Sequence, residues 1–277
     1  GEGAFSRNNG RALVSGTLIN LSKNVEFSVV YRNINRTYFS FFANSFTESS
    51  RVNDEHALYW GFKIYVAPKF TIRTYADFFR FNWIKYTTAG PSSGTEFFVQ
   101  MNYTPSGKST CYLRFFQEDK ELRAIEGIQK YNASQLINRI RLNYSHDIND
   151  QLSLRSRLEY SFYSKQGNEK GVLVFQDILY HPPLRNFSFN ARLAFYSTDG
   201  YNSRMYAFEN DLLYAFAIPA LYDRGLRAYL NFQKKFGPSI TCWLKLAATK
   251  QLIQDEEDIS GLNPFKPEVR FQMRYSF

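Results

Sequence analysis

The chain has 277 residues and a formal net charge of +9, with 44% apolar and 21% charged residues, a balance that excludes a disordered chain. Aromatic residues reach 18%, carried by 27 Phe and 20 Tyr, far more than an ordinary soluble enzyme uses. Mean hydropathy is -0.40, and the absence of any apolar run of about 18 residues excludes membrane-crossing helices. It does not exclude crossing strands, whose apolar and polar faces cancel in any average.

Along the chain the hydropathy pattern has period two. Residues 11–20 carry apolar side chains on both faces. Leu58, Trp60, Phe62 and Ile64 then oppose Tyr59, Gly61, Lys63 and Tyr65, and Phe70 and Ile72 oppose Thr71, Arg73 and Asp77. Ile140, Leu142 and Tyr144 oppose Arg139, Arg141 and Asn143, and Leu152, Leu154, Leu158, Tyr160 and Phe162 oppose Ser153, Arg155, Arg157 and Glu159. Residues 171–181 are again apolar on both faces. Phe187, Phe189, Ala191, Leu193 and Phe195 oppose Ser188, Asn190, Arg192 and Tyr196. Leu226, Ala228, Leu230 and Phe232 oppose Arg227, Tyr229, Asn231 and Gln233. At the end Val269, Phe271, Met273, Tyr275 and Phe277 oppose Glu268, Arg270, Gln272, Arg274 and Ser276. Each stretch has roughly the 9–11 residues with which a tilted strand crosses a bilayer, and none offers a helical stripe.

The connections alternate in length. Short turns are predicted at Leu21–Asn24, Ala67–Lys69, Pro105–Lys108, Asp147–Asp150, Pro182–Asn186 and Gly237–Ser239. Longer polar or Gly-rich segments fall at 33–55, 82–95, 119–131, 164–170, 199–223 and 250–265. Outer-membrane barrels alternate in this way, with short periplasmic turns and long external loops. The parity requires 199–223 to be one external excursion, so the strand-like Tyr206–Phe216 is read as a hairpin above the membrane or a folded loop. The sequence thus predicts an all-β transmembrane antiparallel barrel of about 13 strands, with residues 1–277 as a single domain. An odd count fits the C-terminal part of a larger even-stranded barrel lacking upstream strands and an N-terminal periplasmic region. A miscounted strand, in 199–223 or in the first residues, is the alternative.

Four features bear on chemistry. The alternation of Phe271, Met273, Tyr275 and Phe277 up to the last residue resembles the terminal signal read by the outer-membrane assembly machinery. In physical terms, that is strand addition to an exposed sheet edge. The face predicted to turn inward carries Arg73, Arg114, Arg139, Arg141, Arg155, Arg157, Arg192, Arg227, Arg270 and Arg274, with fewer acids. A basic lumen of this kind favours anionic solutes or the passage of a nucleic-acid backbone; alternatively, arginines cross-link a packed or plugged interior. Leu212, Leu213, Phe216, Ile218 and Leu221 in the 199–223 excursion would expose apolar surface and form a partner-binding loop. Aromatics at strand ends, such as Tyr31, Trp60, Tyr65, Phe81, Trp83, Tyr160, Phe195 and Phe236, fit interfacial girdles.

Catalytic and metal signals are weak. His146 and His181 are expected near periplasmic turns and His56 near the external end of its strand, where with Asp54 and Glu55 it forms only a loop cluster, and no zinc spacing or phosphate-binding glycine loop occurs. Cys111 and Cys242 are expected as free thiols. No enzyme activity, cofactor or metal is expected.

The segments Phe42–Ser50 (FANSFTESS), Tyr75–Arg80 (YADFFR), Pro91–Phe97 (PSSGTEF), Tyr206–Gly225 (YAFENDLLYAFAIPALYDRG) and the closing VRFQMRYSF carry a resemblance. They resemble the C-terminal barrel region of the helix-hairpin-helix domain-containing outer-membrane proteins of Bacteroidota. In that family a region similar to competence DNA-binding modules precedes the barrel; this chain contains no such repeat. The resemblance implies an outer-membrane location and a link to DNA uptake.

The expected function is a transport or translocation pore with a basic lumen. The alternative is an accessory barrel subunit that binds partners through its external loops. The expected surroundings are a lipid bilayer with lipopolysaccharide, the assembly machinery, and other outer-membrane subunits or an N-terminal portion of the same protein. A nucleic-acid partner is compatible with the basic lumen and implied by the resemblance, but this chain alone does not support it.

Overall fold

A computed structural model describes residues 1–42, 45–252 and 264–277. Its strands are β1 (Glu2–Phe5), β2 (Arg11–Ser22), β3 (Val25–Ile34), β4 (Glu55–Ala67), β5 (Phe70–Phe81), β6 (Ser92–Ser106), β7 (Ser109–Glu126) and β8 (Gln129–Asp147). They continue with β9 (Leu152–Ser164), β10 (Asn168–Tyr180), β11 (Phe187–Thr198), β12 (Met205–Tyr206), β13 (Ala220–Leu221), β14 (Arg224–Phe236), β15 (Ile240–Gln251) and β16 (Phe265–Tyr275). Among the described residues, fourteen strands hydrogen-bond in chain order, β1 through β11 and then β14 to β16, while β12 and β13 pair with each other. This is the fold of an outer-membrane β-barrel, in which strands follow one another as antiparallel hairpins.

The chain falls into two compact units. One comprises Gly1–Tyr103, Arg114–Arg139 and Tyr163–Asn168; the other comprises Thr104–Leu113, Ile140–Phe162 and Glu169–Phe277.

In the first unit, β4 lies between β3 and β5 in a register that places Ser28, Gly61 and Tyr75 in one row and Glu26, Lys63 and Arg73 in the next. The opposite face presents Leu58 and Phe78 to the outside. In the second unit, Ala191, Leu230 and Leu246 form a row on one face, and Ala194, Arg227 and Thr249 form a row on the other. Leu193, Leu226, Leu230, Leu246, Val269 and Phe271 are all exposed. Such continuous apolar surface exceeds what a soluble monomer leaves bare, and hydrocarbon is the solvent it fits. Between neighbouring strands the ladder satisfies backbone donors and acceptors, as a sheet in lipid must.

Several sequence expectations shift. Segments 119–131 and 164–170 are not long loops. β7 and β8 run to 18 and 19 residues and meet at the two-residue turn 127–128, where Gly127 has φ +60. β9 and β10 meet across 165–167. The reason is physical: a ladder need not stop where hydrocarbon stops, and polar residues pair equally well in water. Glu2–Phe5 adds a fourteenth, short strand paired with Arg11–Val14. The excursion 199–223 is a folded hairpin, with β12 on β13 and a bridge between Glu209 and Ala217. Most of the predicted loop 250–265 lies outside the described residues.

Apolar cores are small. Ala57, Phe79 and Phe81 cluster in the first unit. Leu173, Phe175, Ala194, Tyr196, Met205, Ala207 and Leu221 cluster in the second. The latter explains the ambiguous stretch 171–181. The polar-side residues of β10 are apolar there because the hairpin covers them. Phe81 is buried, and Tyr65 donates its hydroxyl to Glu26 at 2.8 Å, so both turn toward the polar face rather than joining an interfacial girdle.

Candidate functional site: two charged faces

In the second unit the hairpin between β11 and β14 lies over the charged face of the sheet. Its apolar side, Met205, Ala207 and Leu221, packs on Leu173 and Phe175. Gly171 permits that approach, because a Cβ there would sit 2.5 Å from the carbonyl oxygen of Ser203. Its acids then meet the sheet's cations. Arg227 forks onto Glu209 at 2.5 and 2.9 Å, and its Nη1 also donates to Glu268 at 2.9 Å. Lys245, 1% exposed, lies 3.4 Å from Glu209 and 3.2 Å from Asp211. Arg270 reaches Asp211 at 2.9 Å. Arg192 forks onto Asp177 at 2.5 and 2.7 Å and donates to the Phe208 carbonyl at 2.7 Å. A bidentate guanidinium–carboxylate pair fixes geometry as well as charge. Removing one member leaves its partner charged and unpaired in a poorly hydrated place.

Within the same unit Arg141 forks onto Glu159 at 2.7 and 2.9 Å, and Arg157 lies 4.0 Å from Glu159 and 4.8 Å over the Phe175 ring. Arg155 is exposed and has no carboxylate within ion-pair distance among the described residues. Arg274 stands over the Trp243 ring at 5.7 Å. Ser109 Oγ and His146 Nδ1 are 2.8 Å apart, but no carboxylate orients that imidazole among the described residues. A nucleophile–base pair needs such a third group to fix its tautomer.

Of the five residues expected to form a partner loop, Leu221 is buried and Leu212 and Leu213 are half-buried. Phe216 and Ile218 remain exposed. The correction follows from the hairpin folding back on the sheet, which uses Leu221 internally. Phe271, Met273, Tyr275 and Phe277 are all exposed, with β16 ending at Tyr275.

In the first unit Arg32, 1% exposed, bridges two strands: Nε donates to Glu55 at 2.8 Å, and Nη2 donates to Asp77 at 2.9 Å. Glu55 also accepts the backbone N–H of Glu48 at 3.0 Å, and Asp54 accepts that of Trp83 at 2.8 Å. Lys120 meets Glu48 at 2.5 Å and Glu118 at 2.9 Å. The segment between β3 and β4 is therefore tied to the charged face through its acids. Arg73 and Arg139 have no carboxylate within ion-pair distance among the described residues, while Arg114 donates to Gln100 at 2.8 Å.

Lys85, between β5 and β6, donates its ammonium to Ser49 Oγ. Burial pushes its pKa down to about 8, against the pull of Glu55, Asp54 and Glu48. Between pH 8 and the usual lysine range the unfolded chain binds more protons, so folding stability rises with pH across that window. Reductively 13C-methylated protein should show one lysine resonance with its midpoint near pH 8, missing in Lys85→Arg. Titration of every lysine in the usual range would contradict this placement.

The sequence did not single out Glu209 and Asp211. Their signal was present, as two acids at alternate positions within the strand-like Tyr206–Phe216. Among the described residues no group of three or more His, Cys, Asp and Glu is placed to hold a metal. Both cysteines are free.

No family model and no curated relative matches the chain. Its fold is similar to that of two variants of the ferric enterobactin receptor of Pseudomonas aeruginosa, at 10% and 11% identity and TM-scores of 0.59 and 0.58. The matches cover 90% and 88% of this chain and 42% of each receptor chain. The likeness, at this low identity, is one of fold: a β-sheet of the outer-membrane barrel type.

Proposed function

We propose that the chain is an integral outer-membrane β-barrel that passes small anionic solutes along its polar face. The observation that carries this reading is the division among its arginines. Arg141, Arg192, Arg227 and Arg270 are held by carboxylates. Arg139 in the first unit and Arg155 in the second, each at a polar position in the alternation of its own strand, have no such partner among the described residues. Cations that are not neutralised raise the local concentration of anions in a water-filled passage.

The test is the reversal potential across planar bilayers under a salt gradient. Replacing Arg139 and Arg155 together with Glu should lower the anion-to-cation permeability ratio by about threefold to tenfold. Unchanged selectivity would overturn the reading. Reversing Arg141 or Arg192 instead would break an ion pair and confuse selectivity with stability.

The nucleic-acid version of this reading rests on the resemblance to the helix-hairpin-helix proteins. It predicts DNA binding that is weak and falls steeply with salt. Failure to bind DNA at low salt would remove it. A second reading, an accessory subunit, is favoured by the exposed Tyr214, Phe216 and Ile218 on the hairpin. Co-purification of a stoichiometric partner from native membranes, lost in Phe216→Ser, would support it.

A further inference from the structure

A cavity of about 350 Å³ opens on the polar face of the first unit, near the short-turn ends of β3 to β7. Its size falls in the range of small-molecule pockets, about 300–1,000 Å³. The charges around it are unusual for a structure built only for stability. Lys63 on β4 lies directly opposite Arg73 on β5. Like charges directly opposite in a ladder are destabilising. Arg114 brings a third cation to the same space. The carboxylate in the lining is Glu26, in one row with Lys63 and Arg73; it lies 3.3 Å from Lys63 and also accepts the Tyr65 hydroxyl. Arg73 has no carboxylate within ion-pair distance among the described residues.

The wall beside these cations is aromatic. Tyr59 and Tyr75 have ring centroids 5.3 Å apart, and Tyr75 and Phe98 stack at 4.9 Å with planes 10° apart. Arg114 lies over Phe98 at 5.4 Å from its centroid. The floor is Gly61. A Cβ there would lie 3.0 Å from Tyr59 Oη and 3.2 Å from Ser28 Oγ, so a side chain would press on the wall and narrow the space.

We infer that this cavity binds a small organic anion with a planar ring. The anionic group sits between Lys63 and Arg73, and the ring lies against Tyr59 and Tyr75. The bound anion relieves the repulsion that the opposed cations otherwise feel. The aromatic wall supplies apolar contact that an inorganic ion would not use. The inference rests on the reading that the polar face is open to water, and it names the class of solute that face selects.

The experiment is calorimetric titration of the folded full chain in detergent, with heats into empty micelles subtracted. The probes are 2-naphthoate, its neutral counterpart 2-naphthalenemethanol, and cyclohexanecarboxylate. Naphthoate should bind at least about fivefold tighter than either control, and Arg73→Glu should weaken it at least about tenfold. Equal binding of the neutral alcohol, or unchanged binding in Arg73→Glu, would overturn the site. Heat-dependent gel migration verifies that the variant folds. If it does not fold, the ranking of the three probes on the unmodified chain decides the matter alone. Binding does not require conduction. Loss of anion preference in bilayers alongside intact naphthoate binding would therefore sink the transport reading and leave the site standing.

Discussion

Replacing Glu209 with alanine is expected to release the hairpin from the sheet and to destabilise the fold by about 3–5 kcal/mol, the usual penalty when one partner of a buried pair is removed. Glu209 is 2% exposed and neutralises two cations at once, Arg227 and Lys245. Without it Lys245 keeps only Asp211 within ion-pair distance among the described residues. The cheapest relief is hydration. The hairpin lifts, water reaches Lys245 and Arg227, and part of the lost energy returns as solvation. Two measurements should therefore move together: the unfolding midpoint in detergent falls, and single-channel conductance rises as the polar face is uncovered. Glu209→Gln keeps the shape and loses the charge, so it should lie between. An unchanged conductance with a lowered midpoint would show that the hairpin is a structural brace and not a cover.

The second large effect belongs to Arg32. Arg32→Met should destabilise by about 3–5 kcal/mol, because Glu55 and Asp77 are left as two buried carboxylates with no cation between them. Arg32→Lys should recover less than half, since a point charge cannot fork onto two strands. Adding Glu55→Gln and Asp77→Asn to Arg32→Met should restore most of the loss, because neighbours in one network are not additive. The readout is the unfolding midpoint together with proteolysis of segment 45–54, whose Glu48 N–H is held by Glu55. A neutral triple variant as unstable as Arg32→Met would mean that packing against Phe46, 4.7 Å from the guanidinium, matters more than charge.

Much of the sheet was legible because the signal is local. In β4, β5, β11, β14 and β16 each residue's face follows from its parity, and parity is written in neighbouring residues. The short turns at 23–24, 68–69 and 237–239 fell where turn residues interrupt the alternation. The two ambiguous stretches had separate causes. In β10 the polar-side positions Leu173 and Phe175 are apolar because a distant segment covers them. In β2, Leu18 lines the cavity beside Glu26 and Ser28, while Leu13 and Ile19 alternate to the other side. Loop lengths at 119–131 and 164–170 were misread because polarity marks contact with water, and a strand can pair in water as well as in lipid.

The sequence by itself determined most of the long strands and, where the alternation is clean, their two faces and the solvent each face needs, since period-two patterning acts through nearest neighbours and hydration. It also placed cations along one face. Only the tertiary structure decided which of those cations are neutralised. That depends on Glu55 meeting Arg32 from 23 residues away, and on Glu209 meeting Arg227 and Lys245 from 18 and 36 residues away. It also decided that Lys63 and Arg73 stand opposed beside a ring-lined cavity. Charge pairing is set by distance in space, and no residue's own pattern carries the position of a partner that the chain brings back from elsewhere.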